Sequence, residues 1–212
     1  RESRLLKFYE KNIAGKATLL TLSENDRLYF SALGGNAIFV PSLLPWQQVV
    51  SKPGTGNYCL YHGNLSVNEN ERAVEWLLTE VFQQMEIPII ICGKDPSSTL
   101  SSLVAKNRHA TLIPNPTDEA MQQLVENAQL HLLPSFNKTG VKLKLLNALY
   151  NGRHCVANEA AVAGSGAEAL CIIASTAAET KEQVRRYFSK PFTEKEIQHR
   201  SFVLNKVYNS EI

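Results

Sequence analysis

Short, continuous apolar runs alternate with segments of helical spacing from Tyr58 onward. The runs that are typical of buried strands are "YCLYHGN", "IPIIICG", "HATLIPNP", "LHLLPS", "RHCVAN" and "ALCIIAS". Between them, segments such as residues 68–85 repeat their apolar positions three and four residues apart, which indicates amphipathic helices. Continuous apolar strands that alternate with helices are typical of a parallel sheet covered on both faces. The pattern therefore predicts an α/β fold, a Rossmann-like doubly wound parallel sheet with helices on both faces.

The chain divides into four predicted segments. Residues 1–50 contain a helix, the strand "KATLLTLS", a second helix and the strand "NAIFVPS". Residues 51–56 have the Pro- and Gly-rich composition of a linker. Residues 57–190 form the Rossmann-like domain, and residues 191–212 carry a C-terminal helix.

Composition excludes several classes of protein. The chain has 212 residues, of which 44% are hydrophobic, and a net charge of +2. This charge is too small to attract nucleic acid by itself, so no nucleic-acid partner is expected. No apolar stretch approaches the ~20 residues that span a bilayer, although contact with a membrane surface is compatible with the sequence. Because the chain opens on "RESRLLKFYE" without a Met, we expect a fragment.

Cysteine and histidine spacing does not favour a metal site or a disulfide framework. The four cysteines each lie in an apolar run and form no C-x-x-C pair, which is typical of buried thiols in a reducing compartment. We therefore predict a cytoplasmic protein. The five histidines are scattered and no D-x-D occurs, so we predict no bound metal.

The common nucleotide and nucleophile motifs are absent where the fold requires them. Gly63 follows the first strand of the sheet but opens "GNLSVN", which is not the G-x-G-x-x-G of a dinucleotide-binding protein. "GSGAEA" matches that spacing but precedes a strand. There is no Walker A and no G-x-S-x-G sequence. A dehydrogenase-like function is therefore disfavoured.

The segment "LLPSFNKTGVKLKLLNALYNGRHCVAN" predicts an anion-binding site. A strand ends at Pro134, and a helix is predicted to start near Gly140. Its free N–H groups would point to the carboxyl edge of the sheet, where parallel sheets bind ligands. Lys144 lies one turn into this helix, and Asn147 and Asn151 share its side. The alternative is an ordinary solvated polar face.

The apolar positions of the same helix predict its packing. Leu143, Leu146 and Tyr150 would contact the sheet. Lys142 would point away from Lys144, yet in a first turn it could still reach the loop.

Residues 58–207 resemble the C-terminal, donor-binding domain of GT-B nucleotide-sugar glycosyltransferases, especially the retaining group with an E-x7-E motif. "YHGNLSVNENERAVEWLL" looks like the family's first strand, glycine loop and helix, and "IPIIICGKDP" looks like its second strand. The Pro-Ser loop, Gly, basic-x-Lys, helix and Gly-strand of the third segment resemble the family signature. By this resemblance, residues 1–50 are the tail of the N-terminal acceptor domain. The last helix crosses back toward that domain.

The resemblance also implies a function and a site. The protein would transfer a sugar from a nucleotide-diphosphate donor, without a metal or other cofactor, to a glycan, lipid-linked or protein acceptor. Synthesis of a cell-surface glycan or polysaccharide is the expected setting. Lys144 and Lys142 would stabilise the diphosphate leaving group. The donor would be bound by eight further residues: Gly63, Asn64, Lys94, Asn115, Ser135, Thr139, Gly140 and Asn147.

Two departures from the family pattern leave a second hypothesis open. The family's two glutamates fall on Thr139 and Asn147 in this chain. The amide of Asn147 could replace only part of the hydrogen bonding to the donor ribose. The second hypothesis is therefore a non-catalytic relative that binds a nucleotide-sugar or another protein.

Overall fold

The computed structural model describes residues 2–40 and 44–208. Arg1, residues 41–43 and residues 209–212 lie outside the described part, so the segments predicted at 1–50 and 191–212 are covered only in part. The described elements, in chain order, are α1 Glu2–Ala14, β1 Thr18–Thr21, α2 Glu24–Ala32, β2 Asn36–Phe39, β3 Cys59–Asn64, α3 Asn68–Trp76, β4 Ile89–Lys94, α4 Ser98–Ala105, β5 Ala110–Pro114, α5 Asp118–Asn127, β6 Leu130–Leu133, α6 Leu143–Asn151, β7 His154–Ala157, α7 Glu159–Val162, β8 Ile172–Ile173, α8 Ala177–Phe188 and α9 Glu194–Tyr208.

The main sheet of the described residues has six parallel strands in the order β5-β4-β3-β6-β7-β8. The chain moves outward from β3 to β5 and then returns to β6 on the other side of β3. Strand order reverses at this point, so the connections that leave the carboxyl ends of β3 and β6 diverge and open a crevice. The predicted doubly wound parallel sheet is confirmed, and its switch point lies between β3 and β6.

Helices cover both faces of this sheet. Because side chains alternate along a strand, Tyr61 packs on the face covered by α3, α4 and α8, and Leu60 packs on the face covered by α5. The remaining helices α6, α7 and α9 cover the second face beside β6 and β7. No helix in the described ranges is long and apolar enough to cross a membrane.

The elements that precede the linker form a separate two-stranded parallel sheet of β1 and β2. Large apolar side chains of this unit remain exposed, including Leu5, Phe8 and Leu20. Helix α2 begins at the predicted Ser23 cap, where the Ser23 hydroxyl accepts from the Asp26 N–H, but it buries none of its residues. The unit therefore gains little hydrophobic stabilisation compared with the main sheet.

Two helices differ from their predicted limits. The helix predicted over residues 68–85 ends at Trp76 and continues as a π-helical turn, Leu77–Val81. Helix α6 begins at Leu143 and not near Gly140, because Gly140 has a φ of 68°, which is outside the α-helical region. The prediction that Leu143 packs against the sheet is wrong, since its side chain is 58% exposed at the first helical position.

Candidate functional site

The first wall of the crevice is the turn between β3 and α3. Asn64 shapes this turn, because its side-chain oxygen accepts from the N–H of Ser66 at 3.1 Å and from the Ser66 hydroxyl at 2.8 Å. The Asn64 carbonyl accepts from the side-chain amide of Asn70 at 2.8 Å. Gly63 lies directly under this turn, and a Cβ there would lie 3.4 Å from the Asn70 amide nitrogen. The turn therefore holds Asn70 toward the crevice.

Lys144 crosses the crevice from α6 to β3 and α3. Its ammonium group donates to the hydroxyl of Tyr61 at 2.9 Å and to the side-chain oxygen of Asn70 at 2.8 Å. It also lies over the Tyr61 ring, 4.7 Å from the centroid. These partners are neutral, so the positive charge stays available to an anion.

Burial changes the acidity of this lysine. Desolvation lowers the pKa of Lys144 to about 8; the charge of Glu69 works to raise it and that of Lys142 to lower it further. His62 lies close by on β3, where desolvation and then the Lys144 charge lower the pKa of its imidazole to about 4. His62 is therefore neutral at physiological pH, and Lys144 is mostly protonated.

The second wall is the loop between β6 and α6. The Thr139 N–H and hydroxyl each donate to the Asn137 side chain at 2.8 Å, and Lys142 donates to the Thr139 carbonyl at 2.7 Å. Open space surrounds the position of a Cβ on Gly140. Lys142 precedes the first turn of α6, and no side chain caps the helix start. The first-turn N–H groups therefore remain available to an anion.

Ser135 joins this loop to the opposite wall. Its buried hydroxyl donates to the Glu69 carboxylate at 2.6 Å, and its N–H donates to Asn158 at 3.1 Å. Glu69 and Tyr61 were not among the predicted site residues. The signal for Glu69 was its place in the first turn of a helix that starts at the carboxyl edge of the sheet.

Asn147 and Asn151 do not face the crevice together. The Asn151 side chain is buried and donates to the Asn147 side-chain oxygen at 2.8 Å and to the Asn147 carbonyl at 3.1 Å. The shared polar side that the spacing predicts is therefore partly an internal pair. Asn147 itself remains partly exposed.

Lys94 and Asn115 lie farther along the carboxyl edge, at the ends of β4 and β5. Asn115 has a φ of 48°, and its side-chain oxygen accepts from the N–H of Asp95 at 2.9 Å. Asp95 has a similar φ of 49°. Non-glycine residues rarely adopt this conformation, and such strain is concentrated at functional sites. This pair forms a separate shoulder of the crevice beyond Gly63.

The described residues thus place the predicted positions in two groups. Around the switch point lie Gly63, Asn64, Ser135, Thr139, Gly140, Lys142, Lys144 and Asn147. Lys94 and Asn115 lie on the shoulder formed by β4 and β5. Chemically, the first group offers an ammonium group and an uncapped helix start, the features that bind phosphate.

Comparison with known proteins identifies the family. The family model "Glycosyl transferases group 1" matches residues 56–190. No curated protein sequence matches the chain significantly.

Solved structures share the fold at low sequence identity. TarM of S. aureus, solved with UDP and glycan ligands, has a TM-score of 0.71 and 13% identity over 95% of this chain and 43% of its own. HepE of Anabaena, solved with UDP and glucose, has a TM-score of 0.70 and 13% identity over 98% of this chain and 64% of its own. Sucrose-phosphate synthase of Thermosynechococcus elongatus has a TM-score of 0.69 and 14% identity over 98% of this chain and 59% of its own.

The chain therefore spans less than two thirds of these proteins, and its own two-walled crevice lies inside the matched region. The resemblance to GT-B glycosyltransferases is confirmed, and this chain belongs to the group 1 glycosyltransferase family.

Proposed function

We propose that this chain supplies the donor site of a glycosyltransferase that transfers a sugar from a nucleotide diphosphate to an acceptor. One observation carries the proposal. Lys144 presents a charged ammonium group, held only by the neutral oxygens of Tyr61 and Asn70, beside the uncapped start of α6. A doubly charged diphosphate fits this arrangement better than a neutral ligand does.

The chemistry follows from the positions of these charges. As the bond between the sugar and the diphosphate breaks, negative charge grows on the leaving oxygen. Fixed positive groups stabilise that charge, and here they are Lys144, the α6 start and, secondarily, Lys142. No divalent ion is required in this scheme, so we propose a metal-independent reaction.

The remaining donor contacts are assigned by position. Ser135, Thr139 and Asn147 would lie beside the sugar and ribose, with Gly63, Asn64 and Gly140 beside the diphosphate. Lys94 and Asn115 would border the base. UDP in the TarM and HepE structures supports a nucleotide-sugar donor. We further propose a glycan, lipid-linked or protein acceptor, and a cytoplasmic role in cell-surface glycan or polysaccharide synthesis.

Ligand-induced stabilisation tests the donor site. UDP or another nucleoside diphosphate, without magnesium, should raise the melting temperature, because a ligand that binds only the folded state stabilises it. Lys144→Ala should weaken this binding about tenfold to hundredfold, the value of one charge-assisted contact. Lys106→Ala is the control, since Lys106 follows α4 at the opposite edge of the sheet. A shift that requires a divalent ion, or equal effects of the two substitutions, would contradict the proposal.

A second function is favoured by a specific observation. Thr139 and Asn147 stand where the related motif has glutamates, and both bind neighbouring amides. The protein could then bind a nucleotide-sugar or a protein partner without turnover. Release of free nucleotide from the donor by the full-length protein would distinguish transfer from binding alone.

A further inference from the structure

The carboxylate of Glu69 reaches from α3 into the loop that follows β6. It accepts the Ser135 hydroxyl hydrogen bond at 2.6 Å, and the N–H of Phe136 also donates to it. Sixty-six positions separate Glu69 from Ser135 in the sequence, so this contact joins the two walls of the crevice. A hydroxyl and a backbone N–H of a strand-end loop hold Glu69 as they would hold an anionic ligand.

The charges around Glu69 point the same way. Partial burial acts to raise its pKa, but the Ser135 hydrogen bond, the charges of Lys142 and Lys144 and the Phe136 N–H together lower it. Glu69 is therefore ionised at neutral pH and offsets part of the positive charge of both lysines. A diphosphate that enters the loop would meet this negative charge at close range.

The neighbouring Glu71 shows that the arrangement is not a general consequence of the helix start. Both glutamates lie in the first turn of α3, where a negative charge interacts favourably with the helix dipole. The Glu71 carboxylate instead accepts a hydrogen bond from Ser97, which caps α4 beyond β4. Glu71 has the same charge, the same turn and a serine partner, but it faces away from the lysines.

We infer that Glu69 is an internal anion that occupies the Ser135–Phe136 end of the anion site, and that a diphosphate binds there only after this carboxylate leaves. The inference rests on the proposed function for the identity of the ligand as a nucleotide diphosphate. Displacement of one anion by another does not depend on the nucleotide.

Binding of two anions to the full chain tests this inference. Inorganic pyrophosphate and UDP are titrated calorimetrically, without magnesium, into the wild type, Glu69→Gln, Glu69→Ala and Glu71→Gln. Removing the competing charge should tighten pyrophosphate binding at least about tenfold in both Glu69 variants. Glu71→Gln, which makes the same change in net charge, should bind as the wild type does. Circular dichroism melting verifies that every variant is folded.

The outcomes separate this inference from the proposed function. Pyrophosphate affinity that is unchanged or weaker in both Glu69 variants overturns the inference, and so does an equal gain in Glu71→Gln. A gain for pyrophosphate in the Glu69 variants, with no UDP binding by any of the proteins, supports the internal anion and contradicts the nucleotide donor site. A gain for both ligands supports both.

Discussion

The Lys144 ammonium group donates a 2.9 Å hydrogen bond to the Tyr61 hydroxyl, and this contact ties α6 to the central strand of the sheet. Tyr61 is fully buried, so its hydroxyl is a fixed point rather than a mobile surface group. The same hydroxyl donates to Asn70 at 3.0 Å. Lys144 is therefore held in position before any ligand arrives, which reduces the entropy that binding would cost.

Removal of that hydroxyl should affect both stability and binding. Tyr61→Phe should lower the free energy of unfolding by about 0.5–1.5 kcal/mol and weaken nucleoside diphosphate binding severalfold. Tyr58→Phe is the matched control, because the Tyr58 hydroxyl bonds the Leu124 carbonyl at 2.9 Å, away from the crevice. The control should lose similar stability and keep its affinity. Urea unfolding and calorimetric titration measure the two effects, and equal losses of affinity would contradict a positioning role for Tyr61.

Nucleotide affinity should fall as the pH rises. Because burial lowers the pKa of Lys144 to about 8, this lysine loses its charge within an accessible range. Affinity for UDP should decrease above pH 8, by up to about tenfold per pH unit. In Lys144→Arg the guanidinium stays protonated, so its profile should remain flat over pH 7–9.5. A wild-type profile that is also flat would show that Lys144 does not contact the ligand.

The empty protein should show the opposite trend. The pKa of Lys144 is lower in the folded than in the unfolded chain, so the protonated group opposes folding. As the pH rises from about 8 toward the ordinary lysine value near 10, this cost disappears and stability increases. The stability difference between Lys144→Met and the wild type should therefore shrink over this range. Chemical unfolding at several pH values measures it, and a constant difference would contradict the lowered pKa.

Arg200 should be among the most stability-sensitive residues of α9. Its buried guanidinium donates to the carbonyls of Leu149, Gly152 and Arg153 at the end of α6, and to Ser51 of the linker. Arg200→Ala would leave these buried oxygens without that donor, so the free energy of unfolding should fall by about 3 kcal/mol or more.

Two further variants define the cause of that loss. Arg185→Ala removes an exposed arginine of α8 and should change stability by less than about 0.5 kcal/mol. Arg200→Lys keeps one donor group and should lie between the wild type and Arg200→Ala. Equal stability of Arg200→Ala and Arg185→Ala in urea unfolding would refute a capping role.

Gly93 is required where β3 and β4 approach each other at the edge of the crevice. A Cβ on Gly93 would lie 1.8 Å from the Gly63 carbonyl oxygen, so one strand must move. Gly93→Ala should destabilise the protein by about 1–3 kcal/mol and reduce nucleotide binding, because Gly63 shifts with it. Gly15→Ala, where no atom lies within 4 Å, should do neither. Thermal melting and titration of both variants decide this.

The 212-residue chain should fold without transferring sugar. Its main sheet has its own core, whereas transfer requires an acceptor held across the crevice. We expect a cooperative thermal transition for the chain alone and no product in an assay that requires acceptor. Acceptor-dependent transfer by these residues alone would contradict the prediction.

Apolar patterning alone determined the class of this fold. Runs such as "IPIIICG" can be satisfied only in a strand that is buried on both faces, and the helices between them must then cover the sheet. Lys144 could be found in the same way, because a lysine one turn into a helix at the carboxyl edge has few alternatives to an anion site. These inferences depend on local spacing, which is fixed by the geometry of helices and strands.

Only the tertiary structure decided where the side chains point. The spacing placed Lys144 and Asn151 on one polar side, yet Lys144 reaches Tyr61 while Asn151 is buried against Asn147. Glu69 has an ordinary position in the sequence, and its contact with Ser135 exists because the sheet order brings β3 beside β6. Contacts between residues far apart in the chain depend on strand order and packing, which no local pattern contains.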